Sequence, residues 1–208
     1  MLYDFLLSQY GENEPIILSE LKLEGMSTGC MRQQIKKLTD SGRLKRYDNG
    51  IYFIPKKTVF KSGSQLSRES VIQKKYLQEN GMRCGYISGI SFANKLGITT
   101  QVPMTCEVVT NKASKDYREV QLAGSRVIIR KPRITVNESN YVVLQFLDLL
   151  KDIDDFSEIT GDELSERLLT YMKKVNLRFS DMAAFLQYYP DKIYKNLYET
   201  RLLNGVSA

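Results

Sequence analysis

Residues 26–57 read MSTGCMRQQIKKLTDSGRLKRYDNGIYFIPKK, one helix followed by one tight hairpin. Ser27 or Thr28 is placed to cap the helix, and Met31, Ile35 and Leu38 recur at i, i+4 and i+7 as an apolar stripe. Ser41-Gly42 stops it, because a glycine just past the last turn takes the left-handed backbone that closes a helix. Asn49-Gly50 then falls between the β-prone runs 44–47 and 51–54, and Asn-Gly supplies the positive φ angles of a two-residue turn. Tyr47 and Tyr52 are expected to face each other across that turn as a stabilising pair.

The side of the helix away from the stripe carries Arg32, Gln33, Lys36 and Lys37, and the ribbon and its flank carry Lys45, Arg46, Lys56 and Lys57. A basic helix running into a basic two-stranded ribbon is the layout of a winged helix-turn-helix, in which one helix enters the major groove. Upstream, 1–10 (MLYDFLLSQY) has Leu2, Phe5 and Leu6 at helical spacing, and 16–23 reads as a short second helix through Ile17, Leu18 and Leu21. On this reading Arg32, Gln33 and Lys36 approach bases, since Arg and Gln make bidentate contacts to base edges. Lys37, Lys45, Arg46, Lys56 and Lys57 neutralise phosphates, and Ser27 and Thr28 complete the DNA-facing set at the helix start. The alternative is a solvated helix face on a module that packs against a partner protein and does not touch DNA.

Composition narrows the remaining classes. The chain of 208 residues is 42% hydrophobic and 26% charged, enough apolar content to build a core and against wholesale disorder. No apolar run reaches the ~20 residues of a membrane span, and the N-terminus lacks the pattern of a signal peptide. Three cysteines, Cys30, Cys84 and Cys106, lie far apart and are expected to be buried free thiols in a reducing cytoplasm. Histidine is absent, which excludes Ser-His-Asp and Cys-His catalysis and, with no CxxC, argues against zinc. The expectation is a protein that is not an enzyme, with no cofactor and no metal.

The net charge of +6 is unevenly spread. Residues 22–62 hold ten Lys/Arg against Glu24, Asp40 and Asp48, a local +7, whereas 138–168 hold nine acids against Lys151 and Arg167, a local −7. One basic binding face and a separate acidic one are implied. The domain reading is 1–60 for the winged helix and 66–208 for a second domain, with a linker over 58–65 and a helical tail from about residue 140.

In the second domain Ser67 is expected to cap a helix running to about Glu79 and ended by Asn80-Gly81, with a strand at 83–87 and a helix at 88–96. Strands at 105–110, 119–122 and 126–130 suggest a small antiparallel sheet. The tail offers a buried helix over 142–153 and a Thr160-x-x-Glu163 capping box opening a helix with Leu164, Leu168, Met172 and Val175 on one face. Ser180 is expected to cap a further helix before Pro190. The fold class is therefore α+β, a winged helix-turn-helix followed by a small antiparallel α+β unit and a helical region.

Two passages resemble a known family. Gly42-Arg43-Leu44-Lys45-Arg46 with Gly50-Ile51-Tyr52-Phe53-Ile54-Pro55 is similar to the close of AbiEi-type antitoxin winged helices. Residues 86–103, YISGISFANKLGITTQVP, resemble the Ser-Gly…Asn-x-Leu-Gly…Thr-Gln-Val-Pro segment of the same family. The likeness covers about residues 18–136. It implies a cytoplasmic bacterial transcriptional regulator of a type IV abortive-infection toxin–antitoxin pair. Such a protein represses its own promoter through inverted repeats and counters a nucleotidyltransferase toxin without needing a stable complex. Carried over by position, the antitoxin motif falls on Ser88, Gly89, Asn94, Thr99, Thr100, Gln101 and Pro103. Residue chemistry alone also allows 99–103 to be a plain helix-to-strand connection.

Other constellations are weaker. Gly81, Gly85 and Gly89 recur every four residues without a following Lys-Ser/Thr, so tight turns explain them better than phosphate binding. Asp148, Asp152, Asp154 and Asp155 read as the solvated acidic end of a buried helix before a metal cluster. A second basic group, Lys112, Lys115, Arg118, Arg126, Arg130, Lys131 and Arg133, is not expected to gather on one sheet face. It extends phosphate contact or protects an exposed strand by charge.

Overall fold

In the computed structural model, which describes residues 2–57 and 63–203, the chain is a mixed α+β protein of two units, Met1–Lys75 and Tyr76–Ala208. The expected break lay at 60–66; the observed one falls between Lys75 and Tyr76. Positions 58–62 of the expected linker lie outside the described residues, and Ser64 Oγ accepts the Lys56 N–H at 2.8 Å.

The first unit begins with helix α1 (Leu2–Tyr10), strand β1 (Ile16–Ile17) and a single 3-10 turn, Leu18–Glu20. Helix α2 (Thr28–Asp40) and the hairpin β2 (Lys45–Asp48) and β3 (Ile51–Phe53) follow. The second helix expected over 16–23 is not formed. Ile16 and Ile17 instead pair antiparallel with Tyr52 and Ile51, giving a three-stranded sheet in the order β1-β3-β2. Both isoleucines are buried, so neighbouring apolar residues go to a sheet that is covered on both faces there. Leu2, Leu6, Ile16, Leu21, Met31, Ile35, Leu44 and Ile54 form one core under α1 and α2.

Helix α3 (Arg68–Ile72) is capped by Ser67, whose Oγ accepts the Ser70 N–H at 3.0 Å, and runs into a π-helical turn, Gln73–Leu77. It does not reach Glu79. Asn80 and Gly81, with φ of 50° and 81°, turn a small hairpin between β4 (Gln78–Glu79) and β5 (Met82–Arg83). Two successive positive φ angles make the turn whose twist suits a hairpin, so the dipeptide read as a helix stop is a strand turn.

The second unit is built on a four-stranded sheet, β6 (Gly85–Ser88), β7 (Thr105–Thr110), β8 (Tyr117–Leu122) and β9 (Ser125–Arg130), in the order β6-β7-β9-β8. β7 and β9 run parallel, so the sheet is mixed and the antiparallel expectation is corrected. The β8–β9 hairpin returns beside β7, and pairing between strands so far apart leaves no local signal.

Helix α4 (Gly89–Lys95) and the tail helices α5 (Tyr141–Lys151), α6 (Ile153–Phe156), α7 (Gly161–Lys174), α8 (Phe179–Leu186) and α9 (Lys192–Glu199) complete the unit. Val143, Leu144, Phe146, Leu147, Leu149 and Leu150 of α5 are buried in a core shared with Tyr86, Phe92, Leu168 and Leu197. Two expected caps are not used. Thr160 precedes α7 without a side-chain cap bond, and α8 starts at Arg178, whose N–H donates to Asp181 Oδ2 at 2.8 Å, leaving Ser180 inside the helix.

Candidate nucleic-acid interface

Helix α2 is fixed by its own sequence. Ser27 Oγ accepts the Cys30 N–H at 3.3 Å, Met31 and Ile35 are buried, and Gly42 closes the end with φ of 71°. That orientation leaves Thr28, Gly29, Arg32, Gln33, Lys36 and Lys37 exposed, and 29, 32, 33 and 36 form one stripe at helical spacing. Arg32, Lys36 and Lys37 make no ion pair among the described residues. Three uncompensated cations on one rigid face form a local positive field.

Gly29 lies in the first turn of this stripe, and a Cβ there would meet nothing within 4 Å. No packing reason therefore requires the glycine, which weakens the helix relative to alanine. Cys30 is exposed beside it, against the expectation of a buried thiol, while Cys84 and Cys106 are buried. A thiol in the first turn follows the exposed side once Met31 turns inward.

The hairpin differs from expectation at its tip. Pairing runs Lys45↔Phe53, Arg46↔Tyr52 and Asp48↔Ile51, with a bulge between Arg46 and Asp48 that absorbs Tyr47. Tyr47 and Tyr52 are thus not opposed, and burial pushes the Tyr47 hydroxyl pKa up. Arg46 is occupied within the turn: its Nε donates to the Asp48 carbonyl at 3.3 Å and its guanidinium to Asn49 Oδ1 at 3.0 Å. Lys56 and Lys57 are exposed and Lys45 is half-buried. Between α2, the 3-10 turn and the hairpin tip lies an open groove of about 750 Å³, with Thr28, Arg32 and Arg46 among its walls.

The 86–103 passage is organised from within the second unit. Asn94 Nδ2 donates to the carbonyls of Thr99 at 3.2 Å and Gln101 at 3.1 Å. Glu158 accepts from Thr99 Oγ1 at 2.9 Å and from the Thr100 N–H at 2.7 Å. These bonds hold Glu158 below the usual carboxylate range, the Thr100 N–H first. Sequence reading missed Glu158, which stands 58 residues from Thr100 with no local mark.

Ser88 is buried and is the register partner of Glu107. Gly89, with φ of 61°, would bring a Cβ to 3.2 Å from Glu107 Oε2. Pro103 is half-buried, between the exposed side chains of Val102 and Met104.

The second basic group divides. Arg126 and Arg130 share one sheet face with Tyr117 and Glu119, but the group as a whole does not gather there. Arg118 lies on the opposite face by register. Arg126 pairs with Glu119 at 3.5 Å and Arg130 with Glu107 at 2.7 Å, while Lys115 and Lys131 are exposed and Lys112 is half-buried.

Among the described residues no group of three or more His, Cys, Asp or Glu is arranged to hold a metal ion, and no helix is long and apolar enough to cross a membrane. Asp154 and Asp155 face Lys192 at 3.7 and 3.8 Å.

A family model described as a family of unknown function, DUF6088, matches residues 11–177. No curated protein matches the chain.

Proposed function

The chain belongs to DUF6088, a family of unknown function, and from that premise we propose that its first unit is a winged helix-turn-helix that binds duplex DNA. α2 enters the major groove and the β2–β3 hairpin lies against the backbone as the wing. The observation that carries this reading is the exposed Arg32–Gln33–Lys36–Lys37 face, which has no ion pair among the described residues and stands beside the hairpin. The β1-β3-β2 sheet behind it adds support, since it pins the hairpin to the body that holds the helix.

Arg32 and Gln33 contact bases, Lys36 and Lys37 approach bases and phosphates, and Lys56 and Lys57 contact the backbone. Arg46 shapes the wing more than it neutralises phosphate. The likeness of 42–55 and 86–103 to AbiEi-type proteins extends the proposal. The chain acts in the cytoplasm as repressor of its own promoter and as antitoxin to a nucleotidyltransferase toxin, and it has no catalytic activity of its own.

The test is a footprint of the full chain on the DNA upstream of its own gene, with Arg32→Glu and Lys36→Glu as controls. Protection of paired half-sites that disappears in the variants supports the reading. Protection that survives charge reversal overturns the assignment to α2. Absence of any salt-dependent duplex affinity would favour a protein-interaction module instead. For the antitoxin half, co-expression of the chain with a nucleotidyltransferase toxin that arrests growth should restore growth, and Asn94→Ala should abolish that rescue.

A further inference from the structure

A cleft of about 310 Å³ opens in the second unit between β7, β9 and α5, at the lower bound of roughly 300 Å³ for small-molecule pockets. We propose that it binds a single nucleoside phosphate, with the phosphate at Lys131 and Arg133, the sugar or base edge at Asp148, and the base against Tyr117. The site lies wholly within the second unit and stands whether or not the first unit binds DNA.

The charges are arranged by depth. Lys131 and Arg133 line the cleft from the segment just after β9, and both side chains are exposed. Lys131 makes no ion pair among the described residues. Arg133 is steadied by stacking on the Tyr189 ring, 5.2 Å from its centroid, and by donating to the Tyr188 carbonyl at 3.3 Å. The other two cations of the lining are already matched, Arg130 by Glu107 at 2.7 Å and Lys151 by Asp152 at 2.9 Å. An incoming anion therefore finds its counter-charge at Lys131 and Arg133.

Deeper in, the lining turns acidic. Asp148 receives the Tyr86 hydroxyl at 2.6 Å and also feels the Tyr189 hydroxyl beside it, which leaves part of its acceptor capacity for a ligand. Burial raises the pKa of Asp148, and burial likewise raises that of Glu107. A bare polyanion is disfavoured by this floor. The complementary ligand carries an anion at one end and hydrogen-bond donors at the other, as hydroxyls and amino groups on a nucleoside do.

Tyr117 supplies the third contact. Its ring is about half exposed, one residue along from Asp116 in the cleft wall. The Arg130 guanidinium stands 5.5 Å from the ring centroid, and the hydroxyl donates to Glu119. With the guanidinium over one face of the half-exposed ring, the other face is the stacking surface for a base.

The test is calorimetric titration of the full chain with AMP, GMP, CMP and UMP, with inorganic phosphate and ribose 5-phosphate as controls. At least one nucleotide is expected to bind about tenfold more tightly than inorganic phosphate. Lys131→Ala and Tyr117→Ala are each expected to weaken it several-fold, and Lys131→Ala to leave the unfolding midpoint unchanged, since its side chain is exposed. The proposal is overturned if none of the four binds, if phosphate alone binds as tightly, or if both variants keep full affinity. It is also overturned if a 5′-phosphorylated RNA oligomer binds where no mononucleotide does.

Discussion

Glu158 takes two hydrogen bonds from one residue, Thr100, through the backbone N–H at 2.7 Å and the hydroxyl at 2.8 Å. Its pKa is lowered in the folded chain by those bonds, so the stability it contributes is full above its unfolded value near 4.5 and lost as the pH falls through the folded one. Amide exchange at Thr100 and Gln101 should therefore accelerate below about pH 4.5 relative to the α5 core, beyond the intrinsic pH dependence. Glu158→Ala should show that acceleration already at pH 7. Equal protection in the variant and the parent would remove Glu158 as the anchor of this segment.

Two basic residues of the first unit should separate cleanly. Lys36→Ala is expected to lower the slope of log affinity against log salt by about 0.9, the value for one neutralised phosphate. Arg46→Ala should barely change that slope. It should instead loosen the hairpin tip by roughly 1 kcal/mol, the worth of a hydrogen bond or two. Salt-dependent binding to duplex DNA, with chemical denaturation of each variant, measures both effects.

Gly29→Ala sets stability against binding. The new Cβ meets nothing within 4 Å and adds helix propensity, so the variant should be more stable by about 0.5 kcal/mol. The same methyl stands on the face assigned to the major groove, where it should lower duplex affinity several-fold. A variant more stable and equally tight in binding would move the contact surface off the first turn of α2.

Gly85→Ala should be among the most damaging small substitutions in the second unit. A Cβ there would come within 2.6 Å of the Val109 carbonyl oxygen and 2.8 Å of that of Tyr76, both fixed backbone. Thr110 Oγ1 donates to the same Tyr76 carbonyl at 2.5 Å, so separation also strains a buried hydrogen bond. A loss of about 1–3 kcal/mol, the range for overpacking a tight core, should appear in urea unfolding.

What could be read from sequence followed the range of each signal. Ser27, Met31, Ile35, Gly42 and Asn49-Gly50 act within a few residues of one another: α2 formed as those residues dictated, and the hairpin formed where Asn49-Gly50 put it but with a bulge at Tyr47 that the dipeptide does not signal. Ile16 and Ile17 misled because two apolar residues fit a helix or a strand equally well, and Tyr52 and Ile51 decided between them from a distance. Asn80-Gly81 fits a helix stop and a hairpin turn alike, and its two positive φ angles make the hairpin turn. Neither the parallel β7–β9 pairing nor the cleft was legible. Glu107, Lys131 and Asp148 are ordinary surface residues in sequence, and only the folded sheet and α5 bring them together.

The bonds from Arg46 to Asp48 and Asn49 have a thermodynamic consequence. A turn tied by its own guanidinium has surrendered its conformational entropy during folding, so little remains to be lost on contact with a ligand. Association through the hairpin should resemble rigid-body docking, with a heat-capacity change accounted for by the surface covered and none added by local folding.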